Sequence, residues 1–279
     1  MFFTSLITPL ILLVLYTTFL SNVYKNSFQA VLSAGGVVIE DKIMNGLVGG
    51  QLFSSLLAVS CVTVSFCSNM LMVQDKVSGA RKDMLISPVK RSTLAFSYYT
   101  ASAISTLIVC LFALVACIIY LSIVGWFLTF LDVICLLFDI FLLVMFGTAL
   151  SSIVNYFLSS QGHISAVGSI VSSCYGFICG AYMPLASFSE GLRNVVMFLP
   201  GTYGTALFRN HALNGVLNKM TESGVATSVV ESVKDSIDCN VYFFGNQVSV
   251  GVMYLVIGLT VAVLISAYVL INALSKKKN

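Results

Sequence analysis

Long stretches without any charged side chain divide this chain, and they restrict its fold more than any short motif does. Five of them occur, at residues 1–24, 43–74, 92–131, 140–189 and 239–275. Each can hold the roughly 20 mostly apolar residues that a membrane-spanning helix needs. A membrane barrel would instead show alternating strands of about ten residues. The pattern therefore predicts an all-α, polytopic membrane protein.

The composition agrees with this prediction and excludes other classes. Of the 279 residues, 58% are hydrophobic and 9% are charged, whereas soluble domains have about 45–50% apolar and 25% charged residues. The formal net charge is only +3. No basic cluster is large enough for a nucleic-acid face, so we expect membrane lipids as partners and no nucleic acid.

The stretches divide into six spans. The fourth stretch is interrupted by the polar segment 159–163, which predicts a loop within it. The first stretch lacks the basic start and the small-residue cleavage site of a signal peptide, so we expect a retained span there. The predicted spans cover about residues 2–23, 51–73, 94–123, 130–157, 165–182 and 249–273.

The positions of Lys and Arg orient these spans. With six spans, both termini share a side with the 74–92 loop. That side carries eight basic residues, namely Lys76, Arg81, Lys82, Lys90, Arg91, Lys276, Lys277 and Lys278. Short loops rich in Lys and Arg remain in the cytoplasm. The sequence thus predicts cytoplasmic termini, a cytoplasmic 74–92 loop and an extracellular 183–247 loop, in a plasma-membrane protein.

The predicted extracellular loop contains signals for two short helices between spans five and six. Residues 187–190 fit a capping box, and the helix that follows has Leu192, Val195, Val196 and Leu199 on its apolar side and stops at Pro200. We expect this helix to lie on or dip into the outer leaflet. Residues 224–238 have helical spacing of apolar and charged residues and predict a second, solvated helix.

Motifs for catalysis and for metal binding are missing. The chain has no phosphate-binding loop, no nucleophile elbow and no zinc-protease motif, although each is easy to recognise where it occurs. No Cys and His spacing is typical of a metal site. His163 and His211 are predicted to be isolated histidines in loops. We therefore expect no catalytic residue, no metal and no cofactor bound by this chain.

The 74–92 loop mixes charged with apolar residues and contains Pro88, which must break or start a helix. Two interpretations are open. The segment is either a solvated turn between two spans or a short helix that docks on a cytoplasmic partner.

The pattern Asp75-x-x-x-Gly79 followed by Ser87-Pro88-x-x-Arg91, directly after the second of six predicted spans, resembles the type-2 permeases of ATP-binding-cassette (ABC) exporters. Further pieces agree with that family in order along the chain: Phe2-Phe3 with Pro9 to Tyr16, Gly180 to Pro184, and Leu199 to Tyr203 with Leu207-Phe208-Arg209. The resemblance covers essentially all of residues 1–279 and implies a single transmembrane domain.

The resemblance implies that the chain exports a drug-, peptide- or lipid-like substrate, as in multidrug exporters, together with a second permease half that is identical or different. ATP and Mg would bind a separate ATPase subunit, so this chain would not be an enzyme. The 74–92 loop would couple the two subunits through five residues, Asp75, Gly79, Arg81, Pro88 and Arg91.

Two departures from the family pattern are visible. Family members usually have a cytoplasmic amphipathic helix before the first span, whereas Met1 here starts inside that span. The predicted outer loop is also long for a compact bacterial member.

Two sets of residues within the spans keep alternative interpretations. Gly168, Ser172, Gly176 and Gly180 recur every fourth residue and would allow close helix packing, either within the chain or at the seam with the second half. In span two, Ser60, Thr63 and Asn69 would line a substrate path or bond to neighbouring helices. Spans two and five border the substrate path in the family that the chain resembles.

Asp132 and Asp139 are seven residues apart and share a face of span four. Asp139 lies deeper, so it is expected to face protein or water and not lipid. This buried acid gives the main alternative function, a proton-coupled secondary transporter, although such transporters usually contain internal repeats. A membrane enzyme is a weaker alternative, because no second polar residue converges with Asp139 in the sequence.

Overall fold

Helices form nearly all the regular structure of the residues that the structure describes. The computed structural model describes residues 14, 16–86 and 88–274, and a π-helical turn at Tyr16–Leu20 leads into the first α-helix. In chain order the α-helices are α1 (Ser21–Ala34), α2 (Asp41–Ser68), α3 (Met70–Ser78), α4 (Ala80–Met84), α5 (Arg91–Val124), α6 (Phe130–Phe157), α7 (Gln161–Ile178), α8 (Glu190–Val196), α9 (Pro200–Glu222), α10 (Thr227–Ser236) and α11 (Val250–Leu274). The prediction of an all-α protein is confirmed.

Within the described residues, four helical segments are long and apolar enough to cross a membrane. They are α2 with α3, α5, α6 and α11. The fifth predicted span coincides largely with α7, which is not among these four, so a crossing there stays a prediction. Most of the first predicted span, 2–23, lies outside the described residues.

The second predicted span begins earlier than residue 51. Helix α2 starts at Asp41, and its first turns pack closely against other helices. An added Cβ atom at Gly46 would lie 2.6 Å from the Phe127 ring, and one at Gly50 would lie 2.6 Å from the Leu213 side chain. Hydropathy missed this part because charge and glycine lower its apolar score, while glycine is what permits the close packing.

Helix α2 is the centre of the bundle. Nearly all of its side chains are buried, and it contacts α5, α6, α7 and α9. Helix α11 is at the opposite extreme. It packs on α6 and α9 through residues that include Met253 and Ile257, while Leu255, Leu259 and Val263 are exposed. Such a continuous apolar face fits a lipid environment.

The 183–247 segment differs most from its prediction. Helices α8 and α10 occur where two short helices were predicted, but the long helix α9 between them was not predicted. Pro200 was predicted only to end the preceding helix, but it also occupies the first turn of α9. Backbone N–H groups in a first turn have no intrahelical acceptor, so a proline there costs no hydrogen bond. More than half of the 23 residues of α9 are buried.

The predicted capping box at residues 187–190 is wrong. Ser187 lies in a short 3-10 turn, Leu185–Ser187. The residue before α8 is Ser189, and its side chain makes no capping hydrogen bond. After α10 the chain forms a small antiparallel hairpin of β1 (Tyr242–Phe243) and β2 (Asn246–Gln247) before it enters α11.

Candidate functional site

Two short helices, α3 and α4, follow the long helix α2 and pack against each other. Helix α3 ends at Ser78, and Gly79 turns the chain into α4 with a φ of 91°. This left-handed conformation is readily available to glycine and strained for other residues. Pro88 is exposed, and Arg91 begins α5. The predicted coupling residues therefore lie in one continuous segment.

Two side chains attach the end of α3 to α5 and α6. The Tyr98 hydroxyl donates a hydrogen bond to Asp75 Oδ2 at 2.7 Å. Lys76 Nζ donates to the carbonyl oxygens of Tyr156 at 3.0 Å and Leu158 at 2.8 Å. Tyr156 lies in the last turn of α6 and Leu158 is the C-cap residue, where helical acceptors lack partners and a cation is favourable. The base of the segment is therefore fixed to two long helices.

Arg81 makes a third attachment. Its Nη2 donates to Asn272 Oδ1 at 3.1 Å, and Asn272 is buried near the end of α11. The short helix α4 is thereby connected to α11, although 191 residues separate the two partners in sequence. A displacement of α4 must stretch or break this bond unless α11 moves as well.

The tip of the segment leaves apolar side chains exposed beside charged ones. Val77, Met84, Ile86 and Val89 are 46%, 43%, 83% and 44% exposed, and Lys82 and Lys90 are exposed among them. An apolar patch rimmed by charge is typical of a surface that binds another protein or a membrane. The segment is thus fixed at its base and open at its tip.

Asn69 marks the boundary between α2 and α3 and is a centre of buried hydrogen bonds. Its Nδ2 donates to Ser151 Oγ at 3.0 Å and to Ser152 Oγ at 2.8 Å. Its Oδ1 accepts from Ser102 Oγ at 3.3 Å, and its carbonyl oxygen accepts from Asn155 Nδ2 at 3.2 Å. Asn69 therefore connects α2 to both α5 and α6.

Ser60 and Thr63, the other residues of the predicted substrate path, are also buried inside the bundle. The Thr63 hydroxyl donates to the carbonyl oxygen of Val59 within α2. Asn69 therefore forms hydrogen bonds to neighbouring helices, and the hydroxyl of Thr63 forms its hydrogen bond within α2. A substrate path along these residues stays a prediction.

Three of the four small residues of span five, Gly168, Gly176 and Gly180, contact other residues of this chain. A Cβ atom added at Gly168 would lie 3.0 Å from Met70 Cε, and one at Gly176 would overlap the Tyr182 ring. Gly180 has a φ of 74°, and its carbonyl oxygen accepts a hydrogen bond from Arg209. Ser172 is partly buried. Of these contacts, the one between Gly168 and Met70 joins two helices, and a role of the four residues at a seam with a second permease half stays a prediction.

Asp139 is buried in α6, with 2% of its surface exposed, and two other helices supply its partners. His211 Nδ1 of α9 lies 2.6 Å from Asp139 Oδ2. The Tyr254 hydroxyl of α11 donates to Asp139 Oδ1 at 2.5 Å, and its ring stacks on that of His211. One carboxylate therefore connects three helices.

This cluster corrects two sequence predictions. His163 and His211 were predicted to lie in loops, but they lie in α7 and α9. The statement that no polar residue converges with Asp139 was also wrong. The sequence analysis did not recognise α9 as a helix. In a helix, His211, Asn214 and Asn218 share a face, and this face can lie opposite the aspartates of α6.

Asp132 makes a second contact between α6 and α9, two turns before Asp139. Its carboxylate accepts from the backbone and side chain of Thr129 in a capping box and from Asn214 Nδ2 at 2.9 Å. Further along, a Cβ atom at Gly204 would lie 2.6 Å from Leu143. The two helices therefore run antiparallel over this length.

Arg209 is the most unexpected charge in the protein, because only 1% of its surface is exposed. Its Nη1 donates to Asp238 Oδ2 at 3.0 Å, and its Nη2 donates to the carbonyl oxygen of Gly180. The amide oxygen of Gln51, in the orientation that suits both groups, accepts at 3.2 Å. Sequence reasoning counted Arg209 only as a charge of the outer loop.

Asp238 completes this second cluster. It is 4% exposed, and its Oδ2 also accepts from the backbone N–H of Leu185 at 2.9 Å. Burial raises the pKa of Asp238, while the adjacent Arg209 guanidinium acts in the opposite direction. The pair fixes α9 to the chain segments on both sides of it. In the part of the chain that the structure describes, no group of three or more His, Cys, Asp or Glu could hold a metal ion.

Comparison with protein families gives a match over most of the chain. The family model described as ABC-2 family transporter protein covers residues 41–271. This match confirms the resemblance that the 75–91 pattern carried. No curated protein and no solved structure matches the chain.

Proposed function

Because the chain belongs to the ABC-2 transporter family, and is therefore an ABC-2 type permease, we propose that it forms the membrane part of an ABC exporter driven by a separate ATPase subunit. An ABC-2 permease is a multi-pass membrane component and not itself a catalyst. In this proposal ATP and Mg bind only to the partner. A second permease half, identical or different, completes the transporter.

The observation that carries the proposal is the segment of residues 74–91. Its tip exposes apolar and basic side chains, as a docking surface should. Its base is bonded to α5 through Asp75, to α6 through Lys76 and to α11 through Arg81. Helix α2 leads directly into α3, so a push on the tip reaches four of the long helices.

The proposed cycle follows from these attachments. ATP binding closes the ATPase pair, which moves α4 and with it the ends of α5, α6 and α11. The bundle then opens a path for a drug-, peptide- or lipid-like substrate along spans two and five, towards the cell exterior. The Lys and Arg distribution supports a plasma-membrane orientation with both termini and the 74–91 segment in the cytoplasm.

Co-purification from the native host tests the proposal. We expect an ABC ATPase to be recovered with the tagged chain and identified by mass spectrometry. The variant Ile86→Asp places a charge on the docking surface at a side chain that is 83% exposed, so the ATPase should be lost while the fold is kept. Val38→Asp, at a side chain that is 97% exposed in the connection before α2, is the matched control.

Two results would contradict the proposal. One is the recovery of the chain without any ATPase under mild detergent conditions. The other is equal recovery of the ATPase with the Ile86→Asp and Val38→Asp variants.

The buried Asp139 supports a second candidate function, a proton-coupled secondary transporter. The observation in its favour is the 2.6 Å contact between Asp139 and His211, which are two groups able to exchange a proton. Under this alternative, Asp139→Asn abolishes transport in vesicles with a proton gradient, and deletion of the ATPase does not. Under the ATP-driven proposal, deletion of the ATPase abolishes transport.

A further inference from the structure

A cavity of about 510 Å³ lies between α8 and the segment of residues 235–245. Its volume is within the range of small-molecule sites, about 300–1,000 Å³. Leu185, Met197 and Val241 contribute apolar surface, and all three are buried. Charged and polar side chains from α8 and from the opposite segment form the two walls.

Helix α8 exposes charged side chains towards the cavity and apolar side chains on another face. Glu190, Arg193 and Asn194 line the cavity, as their spacing of three and four residues allows. Leu192 and Val195, on another face, are 49% and 63% exposed. Val196 is the buried side chain of α8, whereas the exposed Leu192 and Val195 give its outer side an apolar surface that fits contact with membrane lipid.

The α8 wall carries charges without partners. Within the described residues, neither Glu190 nor Arg193 forms an ion pair or a side-chain hydrogen bond. A ligand can therefore bind both charges without first breaking a contact within the protein.

The opposite wall is already organised. Asp235 Oδ1 accepts from Asn240 Nδ2 at 2.8 Å and from the Tyr242 hydroxyl at 3.0 Å. Asn240 Nδ2 also donates to Glu231 at 3.0 Å. These bonds hold the Asp235 carboxylate and the Tyr242 ring in place at the cavity.

An exposed aromatic edge adjoins the cavity. The Phe198 ring, 65% exposed, contacts the rings of Phe243 and Phe244 at centroid distances of 5.2 and 6.2 Å. Phe244 lines the cavity and is itself 61% exposed. The three rings form an apolar strip beside the polar walls, and Val195, three residues before Phe198, adds further exposed apolar surface.

We propose that this cavity binds the zwitterionic headgroup of a membrane amphiphile, with its apolar chain lying along Val195, Phe198 and Phe244. A phosphate would bind Arg193 by charge-assisted hydrogen bonds. An ammonium group would bind Glu190 and Asp235 and contact the Tyr242 ring. The proposal requires only a membrane protein, so it can fail or hold independently of the ATP-driven function.

Native mass spectrometry of the purified full-length chain in a non-ionic detergent tests this site. The probes are phosphatidylethanolamine, phosphatidylglycerol, which keeps the phosphate but lacks the amine, and diacylglycerol, which lacks both. We expect phosphatidylethanolamine to bind best. Arg193→Gln or Glu190→Gln should weaken its binding about tenfold, the effect of one charge-assisted hydrogen bond. Both side chains are exposed, so these variants should fold.

The exposed pair Lys219 and Glu222 has the same spacing on α9 and supplies matched controls. Lys219→Gln and Glu222→Gln should bind phosphatidylethanolamine as the unmodified chain does. Equal binding of the three lipids, or unchanged binding by the Arg193 and Glu190 variants, would overturn the proposal. Competition by chain-free glycerophosphoethanolamine at the same concentration as the lipid would also overturn it, because the apolar strip would then contribute nothing.

Discussion

Helices α9 and α11 are nearly equal in length, at 23 and 25 residues, but they have opposite relations to the rest of the protein. Helix α11 is almost wholly apolar, and few of its residues are buried. Helix α9 contains an arginine, a histidine and several asparagines, yet it is packed inside the bundle against α2 and α6.

The difference shows what hydropathy measures in a membrane protein. Lipid is as apolar as a protein interior, so an apolar helix gains little by moving from lipid into the core. Polar side chains instead need partners there, because an unpaired polar group in an apolar medium is costly. Helix α9 is held by specific bonds from Arg209, His211 and Asn214 inside the bundle, whereas α11 combines packing with two hydrogen bonds, at Tyr254 and Asn272.

The largest effect is expected from removing the charge of Arg209. Arg209→Gln leaves Asp238 buried without a cation, which should lower the free energy of unfolding by about 3–5 kcal/mol. Leu259→Ala removes an exposed side chain of α11, 60% exposed, and should change it by less than about 0.5 kcal/mol. Both can be measured by denaturant titration in mixed micelles. Equal effects of the two substitutions would remove the contrast between the helices.

A smaller effect is expected at a pair of glycines, one in each helix. A Cβ atom at Gly215 would lie 1.8 Å from the carbonyl oxygen of Phe127, while nothing lies within 4 Å of one at Gly258. Gly215→Ala should therefore destabilise the protein by about 1–3 kcal/mol. Gly258→Ala should stabilise it by up to about 1 kcal/mol through helix propensity.

Thermal unfolding in detergent checks this pair, with the unmodified chain as the reference. A Gly215→Ala protein that melts at or above the temperature of Gly258→Ala would show that α9 does not pack against the α5–α6 connection as described.

The sequence was sufficient to locate the long apolar helices α5, α6 and α11, but it was insufficient to locate the buried helix α9. Uncharged length located α5, α6 and α11 within a few residues, because apolar surface is required wherever lipid touches the chain. The same criterion placed α9 in a loop, since residues 209–219 contain Arg209, His211 and Lys219. The 75–91 pattern identified the family, but the bond from Arg81 to Asn272 joins residues that no local spacing relates.

The smallest effect is expected from removing the single hydrogen bond that Tyr254 of α11 donates to Asp139 of α6. Helix α6 contacts both α9 and α11. Tyr254→Phe removes the donor to Asp139 and leaves His211 in place, so we expect a loss of about 1 kcal/mol in unfolding free energy. Tyr120→Phe in α5, whose hydroxyl makes no hydrogen bond within the described residues, should have no measurable effect. A loss that is the same for both would exclude a stabilising role for the Tyr254 bond.

The most direct test of the account is hydrogen–deuterium exchange of the co-purified transporter, with and without ATP and Mg. The account predicts that ATP alters exchange in residues 74–91 and, through Arg81, in the end of α11 near Asn272. In Arg81→Gln, the change in 74–91 should persist and the change in α11 should disappear. If ATP leaves residues 74–91 unchanged, this segment does not couple the ATPase to the membrane helices. If α11 responds equally in the variant, the bond from Arg81 to Asn272 does not carry the change.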